Sequence, residues 1–203
     1  LLDRLGSDNK MVRLLTNRAK SDPKRVVFAE ADHLDVLKAA QIVWEEGIGH
    51  PILLGDREVI LELKAEIGFD ADVPIYDPKT PEEDKRRFHY ADIFWKERRR
   101  KGISLLDAQK WMRERNYFAA MMVHEGEADA LVTGYSRSYP SVVKPMLQLI
   151  GKAPGISIVA STNMMMTNRG PIFFSDTAIN PNPTADDIAK IAIMTANTVK
   201  LFG

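Results

Sequence analysis

No cysteine occurs in the 203 residues, which excludes disulfides, thiolate catalysis and thiolate-bound zinc and fits a reducing, cytoplasmic address. Neither charge sign is in excess: 28 Lys and Arg stand against 28 Asp and Glu. No net field therefore attracts nucleic acid or an anionic membrane, and neither is expected as a partner. No apolar run approaches the roughly 18 residues of a membrane span. Leu1-Leu2-Asp3-Arg4 lacks the charged-then-apolar order of a signal peptide, and without an initiator Met this start reads as a segment of a longer polypeptide. Dinucleotide and Walker fingerprints are missing as well: Gly47-Ile48-Gly49 has no third glycine, and no Gly-Lys-Ser/Thr follows at a suitable spacing. His33, His50, His89 and His124 occur singly, so no metal site is expected.

What is present is an alternation of strand and helix signals. Arg25-Val26-Val27-Phe28-Ala29 is an apolar run closed by Glu30, and Asp32 is expected to cap a helix carrying Val36, Leu37, Ala40 and Val43 that stops at Gly47. Pro51-Ile52-Leu53-Leu54-Gly55 reads as a buried strand, with Asp56 capping the next helix. Continuous apolar strands between helices predict an α/β fold with mainly parallel sheets and helices on both faces. A short strand is expected around Ile75-Tyr76. Thr80-Pro81-Glu82-Glu83 is a helix start with Thr80 as cap, and Gly102 is the stop after the charged end Arg98-Arg99-Arg100-Lys101, which reads as a solvated helix terminus. Ser104 and Asn116 open two further helices, and Ala130-Leu131-Val132-Thr133 is a strand. Gly155 to Ala160 and Pro171 to Phe174 read as strands joined across the turn signal Thr167-Asn168-Arg169-Gly170. Thr184 with Asp187 caps the last helix, and Gly203 is its expected C-cap.

Two strand ends run through polar residues into helices, where an open α/β fold holds small anions. At the first, Arg137 is placed to bind a phosphoryl oxygen beside the free N–H groups of the following helix; the ordinary alternative is a solvated arginine or an interface ion pair. Ser136 and Ser138 are candidates to donate to the same anion, although capping is the more usual role for Ser138. Tyr139 either stacks on an adenine or packs against a neighbouring lobe. At the second strand end, Asp176 and Asn180 orient a ligand or make turn hydrogen bonds, which need the same residue types. Thr162, Asn163 and Asn168 are weaker candidates, and Met164-Met165-Met166 reads as core or interface.

From about Met11 to Gly203 the chain resembles phosphate acetyltransferases, most closely those appended to the C-terminus of bacterial NADP-dependent malic enzymes. The resemblance rests on Glu30 with Val36-Leu37-Lys38-Ala39-Ala40, Glu45-Glu46-Gly47-Ile48, Asn116-Tyr117-Phe118-Ala119-Ala120-Met121-Met122-Val123, Gly126-Glu127-Ala128-Asp129 and the Asp176 to Thr184 segment. It implies two lobes of the isocitrate/isopropylmalate-dehydrogenase-like kind: residues 1–150 as the first, and 151–203 as the start of a second whose C-terminal part is missing. It further implies a cleft, a homo-oligomer, and acetyl phosphate, coenzyme A or an acyl-CoA such as acetyl-CoA as ligand. By the same resemblance Lys144 faces that ligand.

The chain departs from the transferases at four places. Gly134 is followed by Ser136-Arg137-Ser138-Tyr139 rather than their His- and Asp-containing loop, Lys144 replaces an arginine before Pro145, Asp35 replaces an arginine, and Thr177 replaces a frequent cysteine. A lysine offers a point charge where an arginine offers a fork. The part of the family that supplies a serine, an arginine and a thiol-deprotonating aspartate lies beyond Gly203, so no catalytic residue is assigned. The resulting expectation is a regulatory, oligomerising domain that binds acetyl-CoA or a related acyl-CoA. Its partner is an upstream malic-enzyme domain that carries the NADP and divalent-metal sites, and no cofactor is expected in this domain. The alternatives are an active phosphate acetyltransferase and a purely structural dimerisation domain.

Overall fold

Val26, Val27 and Phe28 sit at the end of a short strand whose successive side chains point to opposite faces, and that alternation organises the larger part of the molecule. The computed structural model describes residues 10–167 and 170–202. These form two units, residues 19–151 and residues 10–18 with 152–202.

In the 19–151 unit, β1 (Lys24–Phe28), β2 (Gly49–Leu54), β3 (Ile75–Tyr76) and β4 (Ala130–Val132) make a four-stranded sheet in the order β3-β2-β1-β4. Every pairing is parallel, with Val27 beside Ile52 and Leu131. Successive strands step outward from β1 to β2 to β3, whereas β4 lies on the opposite side of β1. The crevice above the carboxyl ends of β1 and β4 is thus the switch point of the sheet.

Both faces of the sheet are covered, as its apolar strands require. Phe28 and Leu53 pack with Leu37 and Ala40 of α2 (Leu34–Glu45), with Ile60 of α3 (Arg57–Ile67), and with Phe69 and Val73. Val27, Ile52 and Leu54 pack on the other side with Tyr90 and Phe94 of α4 (Asp84–Arg98) and with Ala108 of α5 (Leu105–Trp111). Phe118 and Met121 of α6 (Arg115–His124) and Leu149 of α7 (Tyr139–Leu149) complete that layer. Phe118 is fully buried, and a side chain of its size contributes about 1.5–3 kcal/mol by leaving water.

Several helix ends match the sequence signals. Asp56 accepts from the N–H groups of Glu58 and Val59 at 3.1 and 3.3 Å, and Ser104 with Asp107 forms a reciprocal capping box. Other caps differ. Asp32 does not cap α2; His33 stands at that position, and Asp32 instead receives a bidentate pair from Arg115. Thr80 caps nothing with its side chain, because its hydroxyl donates back to Asp77 O at 3.2 Å and a 3-10 turn, Pro81–Glu83, precedes α4. Ser138 holds the N-cap position of α7 without accepting a backbone N–H; its hydroxyl donates to Ser141 Oγ at 3.2 Å. Glu114 rather than Asn116 stands at the N-cap of α6, two residues earlier than expected.

The other unit contains an antiparallel pair, β5 (Thr162–Thr167) and β6 (Gly170–Ser175), with Met164 opposite Phe173. It also contains α8 (Ala185–Leu201), capped by the Thr184–Asp187 box, and Phe173 meets Phe202 at 5.4 Å between ring centroids. The strand expected over residues 155–160 does not form. Val159 O accepts from Asn180 Nδ2 at 2.8 Å instead of from a ladder neighbour, and the strand begins at Thr162. The turn residues Asn168 and Arg169, and Gly203, lie outside the described residues. A helix not expected from the sequence, α1 (Lys10–Ser21), precedes β1.

Candidate ligand-binding site

The loop that follows β4 is organised by one carboxylate. Glu30, just past the end of β1, is only 2% exposed. It accepts from the N–H groups of Gly134 (2.7 Å), Tyr135 (3.0 Å) and Ser136 (2.7 Å), from the Ser136 hydroxyl, and from Thr133 Oγ1 at 3.2 Å. Burial alone pushes its pKa up, but the Ser136 hydroxyl and the Gly134, Ser136 and Tyr135 amides outweigh that and hold it down at about 2. Gly134 has φ +103°, a region that disfavours any side chain, and this lets the successive amides converge. The N–H groups of Gly134, Tyr135 and Ser136 are therefore already bonded within the chain.

Beyond this loop lies a cavity of about 350 Å³ between α5, α6 and α7, lined by Lys110, Trp111, Glu114, Asn116, Tyr117, Arg137, Ser141, Lys144 and Pro145. Trp111 and Tyr117 are stacked with ring centroids 5.3 Å apart, and Lys144 Nζ stands 5.2 Å from the Trp111 ring centroid. Tyr117 OH donates to Gln148 Oε1 at 2.7 Å, and burial raises the Tyr117 pKa, so it remains a donor. Asn116 ties three elements together: its Oδ1 accepts from Thr133 Oγ1 at 2.7 Å, and its Nδ2 donates to Ser141 O at 3.3 Å. Three cations, Lys110, Arg137 and Lys144, face one carboxylate, Glu114, and among the described residues none of the three is in an ion pair. An apolar floor with uncompensated cations at its rim favours an anion that also carries an apolar or aromatic part.

On the other side of the loop, at the switch point, is a smaller apolar hollow of about 210 Å³ lined by Phe28, Val36, Ala39 and Val132, with Glu30, Thr133, Asp35 and Tyr135. Tyr135 OH donates to Asp35 at 2.6 Å, which raises the tyrosine's pKa, and the Tyr135 ring lies 5.4 Å from that of His33. Behind both, the Arg115–Asp32 pair is seated against Gly55. A Cβ there would stand 3.1 Å from Asp32 Cγ, closer than ordinary contact.

The sequence-derived candidates separate accordingly. Arg137 and Lys144 line the cationic cavity. Ser136 faces Glu30, Ser138 bonds Ser141, and Tyr139 is half exposed at the first turn of α7. Asp176 and Asn180 belong to the other unit. There Asp176, at φ 52°, accepts from the N–H of Ile179 (3.3 Å) and of Asn180 (3.1 Å) and from Asn180 Nδ2 (2.8 Å), which are turn hydrogen bonds. Asn163 in β5 donates to Thr177 Oγ1 at 2.7 Å. Lys110, Trp111 and Ser141 were not singled out by sequence reasoning. Only their joint placement by two helices marks them, although an aromatic at a helix end beside Lys110 and Arg113 is a faint signal. Among the described residues no group of three or more His, Asp or Glu side chains is placed to hold a metal ion, and no helix is long and apolar enough to cross a membrane.

Comparison with known proteins gives this geometry a context. The profile of the phosphate acetyl/butaryl transferase family matches residues 10–203. A phosphate acetyltransferase of Thermoanaerobacterium thermosaccharolyticum is 37% identical over 198 residues, covering 94% of this chain and 58% of the relative. One from Escherichia coli is 34% identical over 191 residues, covering 93% of this chain and 26% of the relative. A crystallised phosphotransacetylase from Streptococcus pyogenes superposes with a TM-score of 0.83 at 34% identity, covering 97% of this chain and 60% of that one. The chain thus spans at most about three fifths of these relatives.

Proposed function

The chain belongs to the phosphate acetyl/butaryl transferase family, and from that premise we propose that the protein transfers an acetyl group between acetyl phosphate and coenzyme A, with the 19–151 unit holding a phosphorylated part of the ligand. The observation that carries this reading is the cavity in which Arg137, Lys144 and Lys110 surround Trp111 without ion-pair partners. In the transfer, the thiolate of coenzyme A attacks the acetyl carbonyl, the bond from that carbon to the phosphate oxygen breaks, and phosphate leaves as an anion. Cations held in a partly desolvated hollow stabilise that departing charge, and a bidentate arginine fixes its orientation. Thiol deprotonation is assigned to none of the residues described.

The test is acetylation of coenzyme A by acetyl phosphate in the full-length protein. Turnover that falls by about 10- to 100-fold in Arg137→Ala supports the reading, taking one lost charge-assisted contact as about 1.5–3 kcal/mol. Turnover unaffected by that change would sink it.

A second reading, an acyl-CoA-sensing and oligomerising domain of an NADP-dependent malic enzyme, is favoured by two of the positions that depart from the family. Lys144 is engaged over Trp111, and Asp35 is engaged by Tyr135, so both substituted residues have local partners. Measurable binding of acetyl-CoA without acetyl transfer, in a full-length chain that oxidises malate, would select this reading over the first.

A further inference from the structure

Glu30 is placed where a bound anion is ordinarily found. Three successive main-chain N–H groups, Gly134, Tyr135 and Ser136, converge on one point after a strand, and such a concavity is an anion nest. Here the point is filled by a side chain of the same molecule, reaching over from the neighbouring strand. The acceptor directions of the carboxylate are taken by four donors, with the Thr133 hydroxyl shared between it and Asn116, and the group is 2% exposed, so it is neither a ligand for a substrate cation nor a proton acceptor for a bound thiol.

The next residue, Arg137, leaves the nest with its guanidinium on the cavity wall and with no partner among the described residues. The start of α7, which carries Lys144, is held separately: Asn116 accepts from the Thr133 hydroxyl and donates to the Ser141 carbonyl.

We propose that Glu30 is a positioning residue that acts as the internal anion of the β4–α7 loop: it occupies the main-chain nest, so the ligand's phosphate is bound by Arg137 and Lys144 rather than by the Gly134, Tyr135 and Ser136 amides. This inference rests on the reading of the cavity as a phosphate-holding site, and it adds a statement about how that site discriminates. A phosphate bound by side-chain cations keeps its far oxygens open, which suits a phosphate that must leave.

The experiment uses the full-length protein in wild-type form and as Glu30→Gln, Thr133→Val, Arg137→Ala and the Glu30→Gln/Arg137→Ala double variant. Two quantities are read: hydrogen exchange at the Gly134, Tyr135 and Ser136 amides, and the Kd for coenzyme A by calorimetry. The expected result for Glu30→Gln is a loss of protection at those three amides of tenfold or more, with the β2 amides unchanged, and a Kd raised about tenfold. Because Glu30 acts through Arg137, the double variant is expected to bind no more weakly than Arg137→Ala alone, whereas a merely structural role gives additive losses. Should Glu30→Gln fail to fold, Thr133→Val removes the one hydroxyl shared between Glu30 and Asn116 and is expected to move both readings in the same direction by about two- to threefold.

Unchanged protection in Glu30→Gln, or lost protection with unchanged affinity, overturns the proposal, as does additivity in the double variant. If wild type and Arg137→Ala bind coenzyme A equally, the cavity reading fails, and the exchange data still decide whether Glu30 holds the nest.

Discussion

The β1–β4 pair has a carboxylate at each of its two ends, and the two are neutralised in opposite ways. At the amino end of β4, Asp129 accepts from the Arg25 backbone N–H at 2.8 Å and from both arms of the Arg25 guanidinium, at 3.0 and 2.8 Å. The guanidinium holds its carboxyl well below the usual carboxylate range. At the carboxyl end of β1, Glu30 meets only uncharged donors. At the first end a cation is consumed, the clasp is exposed, and nothing is left for a ligand. At the second, neutral dipoles satisfy the buried charge and the nearby cation Arg137 remains available.

Four measurements test that contrast, in order of expected effect. Glu30→Ala leaves several buried donors unsatisfied and is expected to cost about 3–5 kcal/mol in urea denaturation; a loss below about 1 kcal/mol would mean the loop finds other acceptors. Acidification is next. The pKa of Glu30 is lowered to about 2 in the fold from the ordinary 4.5, so its stabilisation is fully present above about 4.5 and is lost as pH falls from there toward 2, amounting to about 3 kcal/mol. That acid limb should vanish in Glu30→Gln, and its persistence there would assign the titration to another group. Arg137→Ala should leave stability within about 0.5 kcal/mol while weakening coenzyme A binding about tenfold, the reverse of what Glu30→Ala does to folding. The smallest change is expected at the clasp: Asp129→Asn should shift the denaturation midpoint only slightly, and less as salt is added. A loss there comparable to that of Glu30→Ala would erase the distinction between the ends.

The α/β class was legible because strands such as Ile52-Leu53-Leu54 are apolar on both faces and are punctuated by Asp56 and Gly68 at the helix that follows. Two caps were misread for a shared reason. Asp32 and Thr80 have the right chemistry for capping, but other partners, the distant Arg115 and the Asp77 carbonyl three residues back, compete successfully for them. The strand expected from Gly155-Ile156-Ser157-Ile158-Val159 is apolar enough, yet a strand exists only where a neighbour supplies a ladder. Helix α1 was missed although Met11, Leu15 and Ala19 recur at helical spacing, because its first turn carries no acidic residue to announce it. Within the site, the loop carrying Arg137 was legible from its position between a strand and a helix. The role of Glu30 was not, since its donors lie more than a hundred positions away in sequence. The aromatic floor made by Trp111 and Tyr117 was hidden similarly, belonging to two helices that read as separate amphipathic segments.

The central helix α6 has most of its ten residues buried, from Asn116 through Met122, whereas α7 buries only Pro145 and Leu149 and is otherwise tethered by polar contacts: Asn116 to Ser141, Tyr117 to Gln148, and Arg98 to the carbonyls of Leu147 and Gln148. Glycines with positive φ flank it, Gly134 at 103° and Gly151 at 72°. The cavity therefore has one immovable jaw and one adjustable jaw. Accommodation of differently sized guests falls to the adjustable side, and amides of α7 should exchange well before those of α6.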